Sequence, residues 1–556
     1  MSDALAGLGV LVAACGAAGA ILLPAGRLRS MAMLTALVLF PMLILADQWH
    51  SHQIVDLRHS TGRLVVLGLA GLALTAALAY VFRRWPLLLP LAIVAALPFR
   101  VPLHSGGDTA NLLVPLYLVI AGGVLATALR TWRASHPLLP GGGTVGGPAP
   151  EDALATGGGG GSPAVAGPAG PSAWLPRVLA AVVVLYAVQV LYSEDFSKGL
   201  QNVCFFFVPF SLVYGLLREV RWDRRLLTLV LWVIGIEAVC FVLVGSVEFV
   251  SKSLFWNDQV IRSNEFHTYF RVNSVFWDPN IYGRYLSLVA VVAMSALLWA
   301  RERKTLALLT ALIAVLWIGL VPTFSQSSFA ALLAGLVVLA ALRWSLKWTA
   351  IAAVGGVVLT MLIVTLAGSF SFDRINIDTS GRANLVSGGV HLFTQRPIYG
   401  YGSGSFPKAY RKHVKTRKAP VSVSHTEPIT VAAEQGFIGL ALYAALVVTA
   451  LWTMSAGLRP SLSRLAAPRP GGAIGGPAPE DALATGGGGG SPAVTGPARQ
   501  VARAAVFATF VALVVHTMAY AGFYEDPITW VLLAAGASLA AAQQRRVEPC
   551  PDTSAA

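Results

Sequence analysis

Ser424-His425-Thr426-Glu427-Pro428 puts a histidine at the end of a basic stretch and at the entrance to an apolar run. Imidazole titrates near neutrality, so a histidine in this position is suited to take a proton from a hydroxyl. A purely structural histidine fits the same residues. The basic stretch, residues 369–426, contains Arg374, Arg382, Arg396, Lys408, Arg411, Lys412, Lys415, Arg417 and Lys418 against Asp373 and Asp378. Its net charge of +7 is half of the chain's formal +14. Guanidinium groups make bidentate, charge-assisted bonds to phosphate or pyrophosphate. Attraction to anionic lipid head groups is the plainer explanation of the same charge. Arg271 precedes Phe276-Trp277-Asp278-Pro279-Asn280, in which Asp278 reads as a helix N-cap and Pro279 as the first helical residue. The cap alone accounts for that motif, but an arginine at a membrane surface needs a carboxylate partner or an anionic ligand. Glu427 and Glu434 are seven apart and so share a helix face. Glu434 lies about two turns into the apolar run, where a carboxylate is costly and faces a polar cavity or a partner. Gly400-Tyr-Gly402-Ser-Gly404 has the composition of a phosphate loop but no strand–helix context, and reads better as a turn beside a membrane. The chain has no Asp-x-Asp pair and no Walker motif, so neither a carboxylate clamp for a metal-bound sugar diphosphate nor an ATP-driven pump is indicated.

The elements that position these residues are membrane helices. The 556 residues are 56% hydrophobic and 12% charged, with a mean hydropathy of +0.68. Apolar spans fall near 4–24, 31–47, 62–82, 87–98, 110–130, 174–192, 200–217, 226–249, 280–300, 305–321, 326–342, 348–368, 427–454, 503–521 and 527–543. Each is read as a spanning helix. The run at 87–98, bounded by Pro86 and Pro98, is also consistent with half a helix, so the expected count is 13 to 15. Alternate short loops are basic: Arg27/Arg29, Arg83/Arg84, Arg130/Arg133, Arg218–Arg225, Arg301–Lys304, Arg343/Lys347 and Arg545/Arg546. The positive-inside rule makes that side cytoplasmic, with the N-terminus outside and the C-terminus inside. The first run follows Met-Ser-Asp and reads as a retained helix, not a cleaved signal. The basic stretch 369–426 then lies outside, against the rule, which is why it points to a ligand. Residues 146–169 and 475–498 are near-identical Gly/Pro-rich segments, differing at Ala166 and Thr495, and read as flexible cytoplasmic linkers. The four cysteines form no disulfide framework or zinc spacing.

The order of motifs resembles a known family. It runs Arg271…Asp278-Pro279-Asn280, then Phe324-Ser325-Gln326-Ser327 and Ser380-Gly381-Arg382. Pro397-Ile-Tyr-Gly400-Tyr-Gly402-Ser-Gly404-Ser-Phe406 follows, and His425-Thr426…Glu434-Gln435-Gly436-Phe-Ile-Gly439-Leu440 closes it. Over roughly 270–450 this looks like the O-antigen ligase and polymerase superfamily, which includes bacterial O-linked oligosaccharyltransferases. Gln326 stands where many members carry Arg, and Thr426 where Asn or Ser is frequent.

The resemblance implies an all-α, GT-C-like polytopic membrane bundle with a large extracytoplasmic loop between two helices. It implies an inverting, metal-independent glycosyltransferase that needs no cofactor. The donor would be an undecaprenyl-pyrophosphate-linked oligosaccharide and the acceptor a glycan, lipid or protein hydroxyl. Arg271 and Arg382 would bind pyrophosphate and His425 would be the base. Arg374, Arg396, Arg411, Glu434 and Asn280 are the further substrate-binding candidates. The expected organisation is 1–140 N-terminal helices, 141–173 linker, 174–269 central helices, 270–454 catalytic region with the outer loop 369–426, 455–502 linker, and 503–556 C-terminal helices and tail. The expected place is the bacterial inner (plasma) membrane. A transporter or flippase of a lipid-linked anionic glycan is the alternative; it would place its charges near the membrane midplane.

Overall fold

The computed structural model describes residues 3–49, 61–105, 108–134, 171–255, 260–261, 264, 269–344, 347, 349, 351, 382–414, 424–458 and 497–544. The expected span 348–368, Arg374, residues 415–423 and the two Gly/Pro-rich linkers lie wholly or largely outside them. The N-terminal part comprises α1 (Asp3–Leu22), α2 (Arg27–Asp47), α3 (Thr61–Arg84), α4 (Leu88–Ala96), the hairpin β1 (Val101–Ser105) and β2 (Asp108–Leu112), and α5 (Val114–Ala134). The middle comprises α6 (Pro171–Val190), α7 (Phe196–Leu217), α8 (Arg224–Ser251), α9 (Pro279–Trp299), α10 (Arg303–Leu320) and α11 (Gln326–Arg343). The C-terminal part comprises α12 (Arg382–Gln395), α13 (Phe406–His413), α14 (Glu427–Ser455), α15 (Pro497–Thr517) and α16 (Pro527–Gln544). The protein is a multi-pass membrane protein: among the described residues, 11 helices are long and apolar enough to cross a bilayer.

The half-helix alternative holds for α4, and α5 starts later than its apolar run. The nine residues of α4 rise about 14 Å, less than half of a hydrocarbon core of about 30 Å. Pro98 stops the helix because it offers no N–H to continue it. The chain then turns back in an antiparallel hairpin with Val101 opposite Leu112, so the fifth run becomes helical at Val114 instead of residue 110.

Contacts sort the loops to two ends. At one end, Asp47 accepts from Ser197 and Gln201, Tyr192 donates to the Tyr399 carbonyl at 2.8 Å, and Arg271 Nε donates to the Thr323 carbonyl at 2.8 Å. Glu427 accepts from the Gly522 and Phe523 amides at the same end. At the other end, Arg29 pairs with Glu219 and the Gly215 carbonyl, Arg218 with the Ile21 carbonyl and Arg130 with the Phe82 carbonyl. Arg503 donates to the Ala456 carbonyl there. These arginines satisfy helix-end carbonyls that have no intrahelical donor.

Helix α14 is broken at Gly436, whose φ of 64° and ψ of −161° no L-residue adopts comfortably. A broken membrane helix must find other partners for its freed backbone groups. Here the segment 397–402 supplies them. Phe437 N donates to the Pro397 carbonyl at 2.7 Å, and Tyr401 N and Gly402 N donate to the Ala433 and Glu434 carbonyls at 3.1 and 2.8 Å. The chains approach so closely that a Cβ on Gly436 would stand 2.3 Å from the Ile398 carbonyl oxygen, and one on Gly400 would stand 2.3 Å from that of Glu434. The glycines at 400, 402 and 404, all at positive φ, therefore serve a tight turn locked onto a helix break. Gly436→Ala is expected to destabilise by about 3 kcal/mol or more. The check is the melting temperature in detergent, with Gly68→Ala as the control because a Cβ there meets nothing within 4 Å. Equal melting of both variants would overturn the account.

Candidate functional site

The residues that converge at the first end come from five distant parts of the chain. Asp278 caps α9, accepting from Asn280 N at 2.6 Å with Pro279 at the first helical position. Its carboxylate also acts electrostatically on Arg271 and His425. Arg271 is fixed at both backbone and side chain. Its N–H donates to Asn264 Oδ1 at 3.0 Å, its Nε to the Thr323 carbonyl at 2.8 Å, and its Nη2 to Asn280 Oδ1 at 3.2 Å. Burial pulls its guanidinium below the usual arginine value, and the Arg382 charge acts in the same direction while Asp278 opposes it. Asn280, itself buried, is a positioning partner of Arg271. Arg382 opens α12 half-buried and reaches the Ala519 carbonyl at 3.4 Å.

His425 stands just ahead of α14 with φ at 63°, a left-handed backbone that a non-glycine residue adopts only when its surroundings impose it. Its Nδ1 is buried and, among the described residues, has no hydrogen-bond partner. Burial lowers its pKa below the usual histidine value, the Arg382 charge lowers it further, and Asp278 acts the other way. The imidazole is therefore neutral at neutral pH and has a lone pair available to accept a proton.

The C-terminal segment contributes a second set of groups that the sequence reading did not single out. Tyr520 lies 6.3 Å from His425 and 5.8 Å from His516, ring centre to ring centre. Burial and then the Asp278 charge push its phenol up, so it remains a neutral donor at physiological pH. The Arg284 guanidinium is 6.0 Å from the Tyr520 ring centre and forms a buried ion pair with Asp526 at 2.7 Å. Arg100 shares the field of Asp526, Arg284 and Tyr520. His516 Nε2 is 3.1 Å from Ser327 Oγ on α11. One local signal was available: Asp526-Pro527 repeats the Asp278-Pro279 cap grammar, and Asp526 Oδ1 accepts from Ile528 N at 2.9 Å.

Other expected residues are placed elsewhere. Glu427 and Glu434 do share a face, and each carboxylate anchors backbone. Glu427 accepts from Gly522 N at 2.7 Å and Phe523 N at 3.0 Å, tying the Tyr520 segment to the helix that follows His425. Both oxygens of Glu434 are taken by Gly404 N at 2.8 Å and Phe406 N at 3.0 Å. Glu434 therefore holds the glycine turn in position. Arg396 pairs with Glu194 at 3.7 Å and lies 4.4 Å over the Tyr401 ring. It belongs to a separate cluster with Lys412 and His413, also on Glu194. Arg411 is exposed on α13.

The site thus combines a neutral histidine, two arginines, of which Arg271 is held by several hydrogen bonds, and one carboxylate at a membrane end. That set can accept a proton and stabilise a developing anion. A comparison with curated proteins found no match. A family model described as O-antigen ligase (Wzy_C) matches residues 311–444, a segment that includes Arg382, His425 and the broken α14, with Arg271, Asp278 and Tyr520 outside it. Over that segment the chain is similar to the O-antigen ligase family.

Proposed function

We propose that this protein transfers a glycan from an undecaprenyl-pyrophosphate-linked donor to an acceptor hydroxyl on the extracytoplasmic face of the bacterial inner membrane. The observation that carries this reading is the convergence of His425, Arg382 and Arg271 within one electrostatic neighbourhood at one end of the bundle. His425 takes the acceptor proton as the hydroxyl oxygen attacks the anomeric carbon. The bond from that carbon to the lipid pyrophosphate breaks and the configuration inverts. Arg382 and Arg271 stabilise the charge that grows on the leaving group, the role a metal ion plays in other transferases. The Asp278 charge favours the charged form of Arg271, which the Thr323 carbonyl and Asn280 orient. The similarity of residues 311–444 to the O-antigen ligase family supports this chemistry over transport, as does a site at the membrane end and not at the midplane.

The test is an assay of purified protein in detergent with lipid-pyrophosphate oligosaccharide, with and without EDTA. Undiminished transfer in EDTA is the expected result. A product ladder identifies a polymerase, and a single shift of an added acceptor identifies a ligase. No product, combined with donor crossing a liposome bilayer, would overturn the reading in favour of a flippase.

A further inference from the structure

A groove of about 630 Å³ runs down the side of the bundle between α6 and α14. Its walls are Ala181, Leu185 and Val188 on one side and Phe437, Ile438 and Ala441 on the other, all apolar. Both helices span the membrane, so the groove opens into lipid. From Ala181 to the end of α6 at Val190 the helix rises about 14 Å, so the groove reaches toward mid-membrane. Its walls leave Phe437 64% exposed, a large ring with no protein cover.

The groove has a polar roof built from the segment paired with the helix break. Phe437 N and Ile438 N bond the Pro397 and Ile398 carbonyls, which puts Arg396, Ile398 and Tyr399 directly above the groove. Tyr192, at the end of α6, donates to the Tyr399 carbonyl and meets its ring edge-on at 6.1 Å. Two exposed tyrosines at a helix end are typical of the membrane–water interface. Beside them Arg396 and Lys412 approach the same oxygen of Glu194, at 3.7 and 3.6 Å, and His413 is 3.3 Å from it. Among the described residues one carboxylate, Glu194, pairs with both permanent cations, so this cluster carries excess positive charge. The Arg396 and Lys412 side chains are 40% and 63% exposed. The Glu194 side chain is only 13% exposed, so a phosphate joins the two cations from their exposed side while Glu194 stays paired.

We propose that this is a binding site for an anionic phospholipid, with an acyl chain in the α6–α14 groove and its head-group phosphate on Arg396 and Lys412. An apolar slot fits a hydrocarbon chain, and the excess positive charge at its mouth selects a negatively charged head group over a zwitterionic one. The occupant is a structural lipid that fills the gap beside the helix break, where the backbone of α14 relies on segment 397–402. The site is independent of the glycan-transfer reading, since none of His425, Arg382 or Arg271 takes part in it.

The test uses purified full-length protein in phosphatidylcholine liposomes with a trace of phosphatidylglycerol or phosphatidylcholine carrying a photoactivatable acyl chain. The labelled peptides are mapped by mass spectrometry. Phosphatidylglycerol is expected to label the peptides containing 181–188 and 437–442, and unlabelled phosphatidylglycerol to compete. Arg396→Ser should weaken that labelling about fivefold, the fold-change that about 1 kcal/mol per basic residue near a surface gives. Arg396→Lys should retain it. Ala441→Trp, at an exposed position on the groove wall, should abolish labelling by filling the groove. Equal labelling by the two probes, or a preference that survives Arg396→Ser with Lys412→Ser, would overturn the proposal. Displacement of the probe by undecaprenyl phosphate at lower concentration than by phosphatidylglycerol would also overturn it, by giving the groove to the prenyl chain.

Discussion

His425→Ala is expected to reduce transfer by about 10²–10⁴-fold, the usual contribution of a positioned general base, while leaving the protein folded and inserted. The pH dependence makes the expectation specific. A general base works when unprotonated, so turnover should rise with pH through the His425 pKa and then level off. Burial, followed by the Arg382 charge, holds that pKa below 6.5. The acid limb should therefore fall below pH 6.5, with full activity at neutrality. Arg382→Gln removes a positive neighbour that disfavours imidazolium, so the pKa rises and the limb moves to higher pH. Maximal activity falls as well, because the leaving pyrophosphate loses a charge partner. Arg382→Lys keeps the positive charge and should leave the limb near its original place. It loses the bidentate geometry and so part of the rate. A purely structural histidine would give none of these movements. Retention of more than about a tenth of the turnover in His425→Ala would sink the assignment, because general bases contribute far more than that. So would an acid limb unmoved by Arg382→Gln.

The second large effect is on folding and not on chemistry. Asp526→Ala is expected to destabilise the protein by about 3–5 kcal/mol, because it leaves the Arg284 guanidinium buried and uncompensated. The side chains of Arg284 and Asp526 are 4% and 3% exposed, and their contact is 2.7 Å. Even in the native structure Arg284 Nη1 is buried without a hydrogen-bond partner among the described residues, so the ion pair is the main compensation for that charge. Asp526→Ala also removes the cap on Ile528 N, worth about 1 kcal/mol. Replacing both partners with apolar residues, Arg284→Met with Asp526→Leu, should recover most of the loss, since a buried pair costs nearly as much to desolvate as it returns. Melting of the wild type, Arg284→Met, Asp526→Leu and the double variant in detergent closes a double-mutant cycle. A cycle with no coupling would overturn the account. Activity of the double variant is informative too, since Arg284 supports the Tyr520 ring at 6.0 Å and Tyr520 lies beside His425.

Gly436 shows how the two kinds of information divide. Its presence in an apolar run was plain from the sequence, and so was the glycine turn at 400–404. That each requires the other was not, because a close approach of two backbones leaves no mark on hydropathy or periodicity. Arg396 and Glu434 were read as substrate ligands because charge in an apolar or outer segment demands a partner. That demand was correct for Glu434, but the partner is the backbone of residues 404–406, which carries no side-chain signature.

By itself the sequence determined the membrane helices, the Asp278-Pro279 cap and the order of motifs that resembles the O-antigen ligase family. All of these are local properties of a few consecutive residues or of one helix face. Only the tertiary structure decided that Tyr520, His516, Arg284, Asp526 and Arg100 stand around His425 and Arg382. It also decided that the fourth apolar run is a half-helix leading into a hairpin. The physical reason is the same in each case. A buried charge is tolerated only beside its partner, and here the partners lie on helices far apart in the chain, brought together by packing that no local pattern encodes.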